Sequence, residues 1–176
     1  MVQENTKEGY ALKVRVKFAK EGAMKFIGHL DIMRYFQKAV KRANLDVAFS
    51  EGFSPHMIMS FASPLGVGIT STGEYFDMEL KSATTSSDMV KRLNDAMAEG
   101  MKILSIRQVE DGKASKAMSL VAAADYRLKF RETAKLPENW KEKLEEFKAQ
   151  KEIVILKKTK KSEKELDIRP FIYKLS

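Results

Sequence analysis

The chain has 176 residues, 44% hydrophobic and 32% charged, which suits one ordinary domain or two very small ones with a real core. No apolar run approaches the roughly 18 residues of a bilayer-spanning helix, and Met1-Val2-Gln3-Glu4-Asn5 shows no basic-then-apolar signal pattern. Cysteine is absent, which excludes disulfides, thiolate catalysis and a cysteine-ligated iron–sulfur cluster within these residues and fits a cytoplasmic protein.

The net charge of +8 is unevenly spread. Residues 1–112 hold 15 of the 32 Lys/Arg and 14 of the 24 Asp/Glu, a balance of +1. Residues 113–176 hold the other 17 and 10, a balance of +7. A basic half beside a neutral half points to an anionic partner such as RNA, against the plainer reading of a well-solvated lysine-rich surface.

Along the chain, Leu12-Lys13-Val14-Arg15-Val16-Lys17-Phe18 alternates apolar and basic residues, the period of a half-buried strand. Lys20-Glu21-Gly22 turns it. Over residues 31–43 the period becomes helical, with Ile32, Phe36, Ala39, Val40 and Ala43 on one face and Arg34, Lys38, Lys41 and Arg42 on the other. Asp31 in the first turn and the bases in the last suit the helix dipole. Val47-Ala48-Phe49 is a short strand, and Gly52 and Pro55 keep residues 50–56 irregular. Residues 57–62 read as a buried strand of the core, which residues 64–69 continue through a bulge or bend. Thr72-Gly73 turns into a strand over residues 74–80, with Phe76, Met78 and Leu80 inward and Tyr75, Asp77 and Glu79 on a wet face. Ser86 and Ser87 cap a helix over residues 88–99 with Met89, Val90, Leu93, Ala96 and Met97 inward. Gly100 stops it, and residues 101–109 return as a strand.

Residues 10–112 therefore form an α+β domain with the βαββαβ order of a ferredoxin-like unit. The pattern restarts in residues 113–176, a second basic subdomain. A helical connector spans residues 114–123, a strand 126–130, and a helix 138–149 with Trp140, Leu144 and Phe147 inward. Strands over 152–157 and 166–174 follow, joined by a lysine-rich hairpin. This second ferredoxin-like unit is incomplete, βαββ, and the expectation is a chain truncated at Ser176.

His29 and His56 are the only histidines, and each lies near an acid: Asp31 two residues after the first, Glu51 five before the second. An imidazole beside a carboxylate suits acid–base chemistry. The spacing does not match a helical zinc site, so no metal is expected. The plainer reading is that His29 helps cap its helix and His56 bonds within its loop. Gly52, Gly66, Gly68 and Gly73 lack the lysine and following helix of a phosphate loop, and serve turns instead. Lys157, Lys158, Lys160, Lys161 and Lys164 are the candidate nucleic-acid contacts, with salt-dependent, sequence-independent binding expected. An ordinary solvated hairpin tip is the alternative. Tyr75 and Phe76 point to opposite faces, so they offer no paired aromatic platform for bases.

The strings Lys25-Phe26-Ile27-Gly28-His29-Leu30-Asp31-Ile32-Met33-Arg34 and Ala48-Phe49-Ser50-Glu51-Gly52-Phe53-Ser54-Pro55-His56 resemble a bacterial family of radical SAM-linked proteins. Ser60-Phe61-Ala62-Ser63-Pro64-Leu65-Gly66-Val67-Gly68 and Gly73-Glu74-Tyr75 add to the likeness, which is looser over residues 113–176. This resemblance implies an accessory domain fused to, or encoded beside, a radical SAM enzyme, with no catalytic residues carried over. The leading expectation is a non-catalytic module, without a cofactor of its own, that presents RNA or another anionic substrate to a radical SAM partner. An RNA-processing or RNA-modifying enzyme built on a His–acid pair is the second reading, and a protein–protein adaptor the third.

Overall fold

A computed structural model describes residues 12–110, 116–159 and 162–175. The chain divides into two compact units, Met1–Asp125 and Tyr126–Ser176. In the first, β1 (Leu12–Lys20) leads through a 3-10 turn (Gly22–Phe26) into α1 (His29–Arg42). Then come β2 (Met59–Phe61), β3 (Ser71–Leu80), α2 (Ser86–Asp95), β4 (Met101–Gln108) and the single turn α3 (Ala117–Leu120). The strands form one sheet in the order β2-β3-β1-β4, antiparallel at every joint. The expected α+β class holds.

Alternation along the strands decides what the sheet buries. Val14, Val16 and Phe18 of β1, Phe76, Met78 and Leu80 of β3, and Ile103 and Ile106 of β4 share one core with Ile32, Phe36 and Val40 of α1 and Met89 and Leu93 of α2. At its centre, Phe18, Phe36, Phe61 and Phe76 pack as a cluster with ring centroids 4.7–6.1 Å apart. Each such ring buries enough apolar area to dominate the local energetics.

Several boundaries differ from the sequence expectations. The N-cap of α2 is Thr85, whose hydroxyl accepts the Asp88 N–H at 3.2 Å, and the helix ends at Asp95 rather than residue 99. Thr72-Gly73 is no turn: Gly73 has no positive φ, and β3 starts at Ser71, which pairs with Lys20. Residues 64–69 do not prolong β2, since Pro64 has no N–H to donate to a ladder. They fold back instead, and the Gly68 N–H donates to the Lys25 carbonyl at 2.8 Å. Residues 47–49 make single bridges, Val47 to Leu80 and Phe49 to Met57, rather than a full strand.

Gly100 sits at φ +87°, and its carbonyl accepts the Glu21 N–H at 2.7 Å. A Cβ there would lie 2.6 Å from the Glu21 carbonyl oxygen. Gly100→Ala is therefore expected to cost about 2 kcal/mol through left-handed strain and backbone displacement, read as a lower urea midpoint at unchanged slope.

The second unit contains α4 (Trp140–Ala149) and a hairpin of β5 (Val154–Lys158) and β6 (Glu163–Asp167). A 3-10 turn, Arg169–Phe171, follows, and Pro170 there ends the strand expected to run to residue 174. The expected first strand, residues 126–130, does not form, so the βαββ order is not realised. Alternation specifies which side of a strand is apolar, but a strand needs a neighbouring ladder, and this segment pairs with none. Trp140, Leu144 and Phe147 are half-buried on α4 and, with Lys148, are its covered side, so the expected face is the right one but no residue of the helix is fully buried. Of the helical connector expected over residues 114–123, residues 114 and 115 lie outside the described residues and the remainder is helical only over α3. Among the described residues no helix is long and apolar enough to cross a membrane.

Candidate functional site

His29 opens α1, and the N-cap position before it is Gly28, which supplies no side chain. The imidazole does not cap the helix; it packs edge-on against Phe61, centroids 5.6 Å apart and planes at 90°. Asp31 pairs with Arg34 at 3.2 Å on the exposed side of the same helix. Phe26 and Leu30, with Val67 and Ile69 on the loop bonded to Lys25, expose large apolar surface on these segments.

Residues 50–56 close on themselves. The Ser50 N–H donates to the His56 carbonyl at 2.8 Å, and the Ser50 hydroxyl accepts the His56 N–H at 3.1 Å and meets His56 Nδ1 at 2.8 Å. Gly52, at φ +104°, lets the loop turn, and Glu51 and Phe53 are exposed on it. Among the described residues no hydrogen bond or ion pair joins His29 to Asp31, His56 to Glu51, or one histidine to the other. Nor does any group of three His, Cys, Asp or Glu side chains stand ready to hold a metal ion there. The imidazole of His56 is engaged by a hydroxyl, an arrangement that positions a loop.

The lysines sort into two kinds. Lys158 pairs with Glu163 at 2.7 Å. Lys157 stands directly across the ladder from Lys164, on the face that also carries Ile155 and Leu166. The acids Glu163, Glu165 and Asp167 all occupy the opposite face, since successive side chains of a strand alternate. Two like charges directly opposite cost about 0.2–1 kcal/mol, a cost that an anion between them would relieve. Lys160 and Lys161 lie outside the described residues.

Residues 13–176 match a family described as an uncharacterized protein conserved in bacteria (DUF2344). The chain belongs to this family. The match spans both compact units. No curated protein matches the sequence. The family's description names neither reaction nor partner, so a radical SAM connection rests on sequence resemblance alone.

Two polar arrangements in the first unit escape a reading of local motifs. Lys20 is only 2% exposed, and its ammonium donates to the Ile27 carbonyl at 2.9 Å beneath the start of α1. Burial pushes its pKa below the ordinary lysine value, and attraction to Glu74 works the other way. The signal was parity: Lys20 follows Val14, Val16 and Phe18 by steps of two, and Glu74 precedes Phe76 and Met78 likewise. Asp77 is the second case. It was expected on a wet face, yet it is 4% exposed. Arg15 Nε and Nη2 reach its two oxygens at 2.8 and 3.1 Å, and the Ala117 N–H donates to it at 2.8 Å, so α3 covers it.

Proposed function

We propose that this chain is a non-catalytic binding module of the bacterial cytoplasm that presents RNA, or another anionic substrate, to a radical SAM enzyme. In this reading the first unit is a ferredoxin-like scaffold, supported by the β2-β3-β1-β4 order and two helices sharing one core with the sheet. The second unit is the ligand-holding part. The observation that carries the proposal is the segregated hairpin: Lys157 and Lys164 share one face, and the acids take the other. A backbone phosphate placed between two facing ammonium groups gains Coulomb energy and removes their mutual repulsion. The surplus charge of residues 113–176 adds long-range attraction.

The radical SAM partner rests on the resemblance of the strings around His29 and His56. The absence of cysteine agrees with it, because the iron–sulfur cluster of such chemistry would sit outside these residues. The enzymatic alternative has less support, since the bonding of His56 to Ser50 and of Asp31 to Arg34 assembles no His–acid pair.

Titration of a fluorescent single-stranded RNA against salt tests the binding. The Lys157→Ala/Lys164→Ala double variant should flatten the slope of log K against log salt by about 0.7, the one phosphate that the two lysines share. Both positions are exposed, so the variant should keep its circular dichroism spectrum. An unchanged slope, or no RNA binding at low salt, would refute the reading. Co-purification of a radical SAM protein tests the partner separately.

A further inference from the structure

We propose that the free edge of β6 is a docking surface for a second copy of this chain, which adds its own residues 126–131 there as a third strand. The hairpin is a two-stranded sheet. The Ile168 N–H donates to the Ile153 carbonyl, which sets the phase of the ladder. By antiparallel alternation Lys164 and Leu166 spend their backbone groups on β5, while Glu163, Glu165 and Asp167 turn theirs outward. Such an edge is a template for another strand.

Residues 126–131 have the complementary pattern. Tyr126, Leu128 and Phe130 alternate with Arg127, Lys129 and Arg131, as apolar and basic residues do in β1. With Leu128 set antiparallel against Leu166, Arg127 falls opposite Asp167, Lys129 opposite Glu165 and Arg131 opposite Glu163. A slip by one residue would set those bases against Lys164 and Leu166, so the charges select one register. Not all the acids are equally available: Asp167 accepts the N–H groups of Ile153 and Arg169, and Glu163 holds Lys158. Glu165 is the clearest selector.

The segment is ready to be taken up. Tyr126, Leu128 and Phe130 are 75%, 89% and 64% exposed, and no N–H of residues 126–131 donates to a backbone carbonyl among the described residues. Phe130 lies edge-on to Trp140, centroids 6.1 Å apart, and the Arg131 carbonyl accepts the Ala134 N–H. Within one chain the segment and the edge do not join, although among the described residues no other strand competes for that edge. This favours pairing between copies, and reciprocal exchange closes a symmetric dimer.

Sedimentation velocity on the full chain, from low to high micromolar, provides the test. The native chain should dimerise with concentration. Glu165→Lys and Lys129→Glu should each weaken the dimer roughly tenfold, and the two together should restore it. Hydrogen exchange over residues 127–131 should slow as the dimer forms. A chain that stays monomeric overturns the proposal, including one whose segment is protected on its own edge. So does a dimer indifferent to the charge exchange. The Lys157→Ala/Lys164→Ala variant should still dimerise, so failure of the RNA reading and failure of this one are distinguishable.

Discussion

Replacing Phe36 by alanine is expected to destabilise the first unit by about 3–5 kcal/mol, the range for deleting a buried aromatic ring. Phe36 is fully buried on α1 and meets Phe18 at 4.7 Å, Phe76 at 4.8 Å and Phe61 at 5.7 Å between centroids. It joins the helix to three different strands' worth of apolar surface, because Phe18, Phe61 and Phe76 come from β1, β2 and β3. Deleting it removes both the transfer energy and the tilted contacts, each worth about 0.5–1.5 kcal/mol beyond burial. Neighbouring rings cannot all collapse into the space, since Phe61 also carries His29. Phe36→Leu keeps part of the volume and should cost roughly half as much. Urea unfolding followed by circular dichroism measures this, as the single tryptophan, Trp140, belongs to the other unit. A loss below about 1 kcal/mol would mean that the cluster does not hold α1 to the sheet.

That core was legible because period encodes it. The five residues on the predicted face of α1, Ile32, Phe36, Ala39, Val40 and Ala43, are all buried, as are Phe76, Met78 and Leu80 of β3. Period two also places Lys20 and Glu74 on the inner side, but a charged residue beside Gly22 reads naturally as a turn. The difficulty was one of priority between two valid signals. Asp77 was illegible for another reason: its burial depends on Ala117, forty residues away, and no local pattern announces that contact. His56 shows the same limit in small. Proximity to Glu51 in sequence suggested a pair, yet Ser50 supplies the nearer partner. Residues 126–130 carry the alternation that makes β1 a strand and still form none. Alternation is a statement about faces, and a strand also requires an edge. The lysine cluster was visible as composition, but only the ladder register separates Lys157 and Lys164 from the Glu163-paired Lys158.

Asp77→Ala should lower stability by about 3 kcal/mol and release the chain around α3 from the sheet. A buried ion pair is often no more stabilising than an apolar replacement of both partners, but removing one partner alone is costly. Here the loss is double: Arg15 gives up the carboxylate that two of its nitrogens contact, and the Ala117 N–H gives up its acceptor. The hydrogen bond that Arg15 donates to Asp77 is also the main cause that raises the Arg15 pKa, against desolvation that lowers it. Arg15 retains 19% exposure, so water recovers part of its solvation, and the expected cost sits at the lower end of the usual 3–5 kcal/mol. Asp77→Asn keeps one carbonyl acceptor and should cost less. A double-mutant cycle with Arg15→Ala should give a coupling of about 1–3 kcal/mol. Trypsin offers an independent readout at Lys116, which is exposed and precedes the anchored Ala117. In Asp77→Ala, cleavage there should accelerate under conditions where the native sheet stays folded, because the Ala117 N–H loses its tether to β3. Equal cleavage rates would mean that α3 is held by its other contacts with β2 and β3, with the carboxylate serving Arg15 alone.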